Sequence, residues 1–179
     1  MNILIKKLLR ENLSNLNILY HGGESVITQF NPDKIIGGFR GNHGWGIYFS
    51  DSIYKAKDYG PVITTLNSSG LNILNTREPV NEKLVLGVKE LSDQQSDAML
   101  SAFYNMISGK LKEKLGHTID NSRKEISSIF RWDISKAWSE MLVKLGYDIM
   151  KNGYEYVIIN FENANRALIA PEDKNGKEN

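Results

Sequence analysis

The sequence predicts an α+β fold in a single domain, and three observations carry that expectation. Short β-type runs stand near both ends of the chain, at 18–20 and 156–159, while helix-type spacing fills 92–146. The resulting order, strand–helix–strands–helices–strands, is not the regular alternation of a parallel α/β sheet. The length, 179 residues, suits one domain. A chain of this size buries about 70% of its unfolded surface, so it needs neither disulfide nor metal to hold together.

The elements follow in order. Residues 1–14 form an expected N-terminal helix, with Ile3, Leu4, Leu8, Leu9 and Leu13 on one side and Lys6 and Lys7 on the other. Ile18-Leu19-Tyr20 reads as a buried strand ended by Gly22-Gly23. From Phe30 to Gly46 the chain is rich in turn residues. Ile47-Tyr48-Phe49-Ser50 reads as a strand, and Asp51 or Ser52 caps a helix that runs to about Tyr59, where Gly60-Pro61 stops it. Val62–Leu66, Leu71–Leu74 and Lys83–Val88 read as further strands. Ser92 or Asp93 then caps a long helix through Leu115, with Met99, Phe103, Met106, Ile107 and Leu111 on one face. Another helical region covers 121–146 and closes at Gly146. Tyr156–Ile159 and Leu168–Ala170 read as strands, and 171–179 as a frayed tail.

Composition excludes several kinds of chemistry. Lys plus Arg total 22 against 21 Asp plus Glu, so net charge gives no sign of a nucleic-acid binder, although a local basic patch stays open. The chain has no cysteine, which removes disulfides, a thiol nucleophile and thiolate metal sites. His21, His43 and His117 lie far apart, so no metal site is expected. No apolar run reaches the ~18 residues of a membrane span. The N-terminal charges follow the apolar residues, the wrong order for a secretory signal. A cytoplasmic protein with no membrane partner is the expectation.

Three local features stand out: Tyr20-His21-Gly22-Gly23; Gly44-Trp45-Gly46-Ile47-Tyr48-Phe49-Ser50 with Ala56 and Tyr59; and Tyr154-Glu155-Tyr156-Val157-Ile158-Ile159. Singly, each has an ordinary structural reading. A histidine at a strand end is often a partly buried cap, strand tyrosines are often core, and a glutamate before an apolar strand is often solvated. The glycine-rich run is not a dinucleotide fingerprint, because a strand follows it rather than a helix.

In this order the three resemble the His–Tyr–Glu class of ADP-ribosyltransferases, the group of diphtheria toxin and the poly(ADP-ribose) polymerases. Phrases such as Tyr-His-Gly and Gly-Trp-Gly-Ile-Tyr-Phe are most similar to the transferase domains of phage and mobile-element polyvalent proteins. The resemblance spans about residues 18–160. In the family a strand ends in His-Gly, a Gly-x-Gly-Ile/Leu-Tyr-Phe motif follows, a second tyrosine stands eleven residues after the first, and a glutamate precedes a Tyr-Val/Ile-Val/Ile strand. Here these are His21-Gly22, Tyr48-Phe49, Tyr59 and Glu155. The resemblance implies two small antiparallel or mixed sheets forming an NAD cleft with flanking helices. It implies Glu155, His21 and Tyr48 as catalytic residues and His21, Gly22, Gly23, Tyr48, Phe49, Ala56 and Tyr59 as NAD contacts, with Arg40 as a phosphate partner.

The chemistry agrees with that pattern. Cleavage of the nicotinamide–ribose bond builds positive charge on the ribose, which one well-placed carboxylate stabilises. Two phenol faces suit a flat cationic ring. This chain also departs from the family: Gly23 replaces a usual Ser or Thr, Ala56 replaces a frequent Ser, and Gly153 stands two residues before Glu155, which disfavours an arginine acceptor. Glu162 is the rival acid.

The implied activity is mono-ADP-ribosyl transfer from NAD to a protein or nucleic acid by a bacterial or phage toxin or effector, which leaves room for an antitoxin as a further partner. The alternatives are an NAD glycohydrolase, a catalytically inactive NAD- or protein-binding member, and an unrelated α+β binding domain. Lys110, Lys112, Lys114, Arg123, Lys124, Arg131 and Lys136 make 110–136 locally basic, either a solvated helix face or a track for RNA or DNA phosphates. Trp45, Trp132 and Trp138 are candidates either for base stacking or for the core.

Overall fold

The computed structural model describes residues 17–34, 45–112 and 132–170. The expected N-terminal helix, Arg40, most of the glycine-rich run, the basic stretch 113–131 and the tail lie outside the described residues.

Among the described residues seven strands and five helices form an α+β domain. In chain order they are β1 (Ile18–Gly23), a 3-10 turn (Pro32–Lys34), β2 (Ile47–Ser50), α1 (Ile53–Lys57), β3 (Val62–Asn67), β4 (Ile73–Asn75), α2 (Glu82–Gln95), α3 (Ala98–Lys112), α4 (Trp132–Lys144), β5 (Ile149–Asn152), β6 (Glu155–Ile158), α5 (Phe161–Ala167) and β7 (Leu168–Ile169). The strands make one continuous sheet, ordered β4-β5-β6-β2-β1-β3-β7, rather than the two small sheets the resemblance implies. All neighbours are antiparallel except β4 and β5. No described helix is long and apolar enough to cross a membrane.

The sheet separates two cores. Because side chains alternate along a strand and paired residues share a face, register decides which residues meet. One face carries Leu19, Phe49, Leu66, Ile149, Tyr156 and Ile158, covered by Phe30 and by Ala164 of α5. The other carries Leu74, Met150 and Val157, covered by apolar stripes of α2, α3 and α4 around the fully buried Phe103 and Trp138. Those two rings meet edge to face at 5.9 Å, which makes Trp138 a core residue.

The helical layer corrects two expectations. Lys83–Val88 is not a strand but the start of α2. Asn81 is extended and its side chain accepts from the Leu84 N–H at 2.9 Å, a helix N-cap. Leu84, Val85, Val88 and Leu91 are buried while Leu86 is exposed, the spacing of a helix face and not of a strand. Nor does one helix run from Ser92 or Asp93 onward. The chain breaks at Ser96, whose backbone is left-handed (φ 49°), before Asp97 restarts it as α3 by accepting from Leu100 N at 3.1 Å. Elsewhere Ser52 caps α1, Gly146 is left-handed (φ 81°) behind α4, and β7 forms where Leu168-Ile169 was expected to be extended.

Candidate active site

The site is assembled by the middle of the sheet. Strand β6 pairs with β2 in the register Tyr48↔Val157, Phe49↔Tyr156 and Ser50↔Glu155. Tyr48, Ser50 and Glu155 therefore stand on one face, while Phe49 points to the other. On its other side Glu155 is paired with Asn152 of β5. Glu155 is held between two strands at the start of β6 and remains partly open to solvent.

Helix α1 brings the second aromatic residue. Ser50 Oγ accepts from Ser52 N at 3.1 Å, and Ser52 in turn caps α1, so the strand end and the helix start are fixed together. The helix presses onto the end of β1. A Cβ on Gly22 would overlap the Ala56 carbonyl, and one on Gly60 would overlap the backbone of Gly23. Ala56 is consequently buried, and the chain leaves α1 with Tyr59 standing 72% exposed beside the start of β6. Partial desolvation first, and then the charges of Glu155, Tyr154 and Asp58, push the Tyr59 phenol above its usual pKa. Tyr59 and Glu155 thus lie within electrostatic reach of one another. Tyr54 and Tyr154, both exposed, border the same region, and Lys55 sits 5.9 Å over the Tyr154 ring.

His21 joins from the opposite face. Its ring tilts against Phe49 at 5.4 Å, and Nδ1 lies 2.7 Å from the Tyr48 carbonyl oxygen. Burial lowers the imidazole pKa, and the Tyr48 hydrogen bond opposes this as the smaller effect. The neutral ring must donate through Nδ1, because a carbonyl can only accept, so Nε2 is left as an acceptor. A Cβ on residue 23 would stand 3.3 Å from Nε2; glycine there keeps this nitrogen uncrowded.

Tyr48 and Glu155 therefore share one face, with Tyr59 within electrostatic reach of the acid, while His21, from the opposite face, is tied to them through the Tyr48 backbone. One expected ligand contact is placed otherwise. Phe49 is 3% exposed in the core, where it supports the imidazole instead of lining the face of Glu155. Gly22 is dictated by the packing of α1, which accounts for the missing side chain without any ligand. The rival Glu162 is on α5, exposed and ion-paired with Arg166. Sequence reasoning had Ser50 only as part of its motif and missed Asn152 and Arg77. Arg77 donates from Nε to Asn152 Oδ1 at 3.2 Å, a link made only by strand pairing.

Among the described residues no group of three or more His, Asp or Glu side chains could hold a metal ion. A cavity of about 520 Å³ opens at the other end of β3, lined by residues that include Asn67, Gly70, Leu71, Asn163, Arg166 and Ile169; none of the candidate residues borders it. No family model, no curated protein and no solved structure matches the chain.

Proposed function

We propose that this protein is a mono-ADP-ribosyltransferase that uses NAD as co-substrate, acting as a bacterial or phage effector in the cytoplasm. The observation that carries the reading is the register Ser50↔Glu155, which puts the acid on the face of Tyr48 with Tyr59 inside its field. The residues fit the dinucleotide by their chemistry: a carboxylate for a cationic ribose, the exposed Tyr59 and half-buried Tyr48 phenols for a flat cation, and an imidazole nitrogen able to accept from a ribose hydroxyl.

In the reaction the ribose C–N bond breaks and nicotinamide leaves with the electron pair. The acceptor's nucleophilic atom bonds to the same ribose carbon, and its proton passes to Glu155 or to water. Glu155 stabilises the positive charge while it exists, and its place between two strands means that little reorganisation is needed. His21 is suited to fixing a sugar hydroxyl, since its tautomer is already set by Tyr48.

The test is protein incubated with NAD, with released nicotinamide, free ADP-ribose and mass gain on protein or nucleic acid measured together. Glu155→Gln is expected to lower turnover by on the order of a hundredfold or more, as loss of a key charge-stabilising group does. Unchanged turnover in that variant defeats the enzyme reading. The partial exposure of Glu155 and the openness of Tyr59 favour one second reading, an NAD glycohydrolase with water as acceptor. Free ADP-ribose with no mass gain on any macromolecule would decide for it.

A further inference from the structure

Arg77 is held in an unusual way for an exposed arginine. Its backbone N–H is fixed to Asn75 Oδ1 at 3.1 Å. The neighbouring Thr76 bonds the Lys151 carbonyl through both N (2.9 Å) and Oγ1 (3.0 Å), and Glu78 N returns to Asn75 O at 3.1 Å. Its side chain is fixed as well, since Nε donates to Asn152 Oδ1 at 3.2 Å. The guanidinium lies over Gly153, where a Cβ would stand 2.9 Å from one Nη and 3.3 Å from Cζ. Gly153 is left-handed (φ 64°), so glycine suits both the turn and the arginine. Among the described residues nothing bonds the two Nη atoms.

Ordering a long side chain costs entropy, and a single exposed hydrogen bond returns little. A fork held by its Nε, with neither Nη bonded among the described residues, is instead a pre-organised receptor for a planar or tetrahedral anion. Directly beside it, at the tip of the β5–β6 turn, Tyr154 is 51% exposed, and Lys55 reaches it from α1 on a different element. Tyr54, 80% exposed, extends the aromatic surface along α1. A ring under one cation, with an arginine fork over the preceding residue Gly153, matches a base next to a phosphate, the unit that repeats along a nucleic acid. Bases must be unpaired to offer their faces. The opposing charges are also near: Lys55 approaches Asp58 at 4.0 Å, and Glu78 accepts from Asn75 at 3.1 Å, but Arg77 forms no ion pair with either among the described residues.

Resting on the transferase reading, we infer that the acceptor is a single-stranded nucleic acid, recognised next to Glu155 by Tyr154 stacking on a base and Arg77 gripping a phosphate. The turn that carries Tyr154 runs straight into Glu155, so the acceptor is delivered at the acid and not elsewhere on the protein.

The test is anisotropy with short fluorescein-labelled single-stranded DNA and RNA oligonucleotides, without NAD, over a salt series. Thermal melts check that each variant is folded. Tyr154→Ala and Arg77→Ala are each expected to weaken binding about tenfold, and Tyr154→Phe to keep it. Arg77→Ala should also lower the slope of log affinity against log salt by roughly 0.7, the share of one phosphate on a single strand. Arg77→Lys retains charge without the fork and should fall between wild type and alanine. Absence of oligonucleotide binding, binding equal in all variants, or ADP-ribose from wild type landing on protein alone each overturns the assignment. Because binding is read without NAD, a failed transferase reading shows up separately, as no NAD turnover by wild type.

Discussion

Gly22 offers the sharpest check on how the site is built. Replacing it with alanine puts a methyl group into the Ala56 carbonyl oxygen, 2.7 Å from the Ala56 carbonyl carbon and 3.1 Å from Gly60 O. None of these is the end of a flexible side chain. The Ala56 oxygen already accepts from Tyr59 N at 3.0 Å, so it cannot turn aside without unwinding the end of α1. Overpacking against soft neighbours costs about 1–3 kcal/mol, and rigid backbone belongs at the upper end of that range. For a chain of 179 residues, about 3 kcal/mol corresponds to a melting temperature lower by roughly 6–12 °C. Since α1 carries Tyr59, NAD turnover should fall in the same variant even at temperatures where it is folded. Gly109→Ala serves as the control. Gly109 lies inside α3 with open space where a Cβ would go, so alanine should stabilise by about 0.5–1 kcal/mol. The assay is thermal and urea unfolding of both variants beside wild type. A Gly22→Ala protein that melts with the wild type refutes the packing of α1 on β1, and with it the placement of Tyr59.

Three further outcomes are expected. Asp148 is 3% exposed and accepts from Asn72 N, Asn160 Nδ2 and Asn163 Nδ2, each at 2.8 Å. Asp148→Ala strands three donors and should cost about 2–4 kcal/mol in urea unfolding; a loss within error would show the knot to be dispensable. The folded His21 pKa lies below 6.5, so between those two values the unfolded chain binds a proton that the folded one does not. His21 therefore favours folding above pH 6.5 and loses that contribution as pH falls toward its folded value. The stability difference between wild type and His21→Gln should shift against wild type on acidification, and a pH-independent difference would contradict this. Ser96→Gly relieves a left-handed residue (φ 49°, ψ 35°) at the end of α2 and should gain about 0.5–1 kcal/mol; a loss in melting temperature would count against that geometry.

Much of the fold was legible in residues close together in the chain. The β1, β2, β3, β6 and β7 segments, the Ser52 cap and the Gly146 stop are local matters of apolar run, cap and turn chemistry. The failure at Lys83–Val88 is instructive. Leu84-Val85-Leu86 suits a strand by propensity, and Gly87 argues against a helix. Tertiary packing overrides both, because Gly87 lies where α2 meets α4 and a Cβ would stand 2.8 Å from Leu145 Cδ1 and 3.1 Å from Met141 Sδ. Glycine is what permits that approach. The local signals that did favour a helix were Asn81 three residues ahead of Leu84 and the spacing of Val85, Val88 and Leu91.

What the sequence determined by itself was the identity of the candidate groups, since motif spacing singles out His21, Tyr48, Tyr59 and Glu155 through their types and neighbours. Only the tertiary structure decided how they relate. Pairing between β2 and β6, more than a hundred residues apart, set Glu155 beside Ser50 and turned Phe49 into the core, while a side-chain bond across 75 residues linked Arg77 to the turn before the acid. A shift of that register by one residue would have sent Glu155 to the opposite face from Tyr48. The choice between the two faces comes from burying Val157 against the helices and Tyr156 against Phe49's core, energies that exist only once both layers are in place.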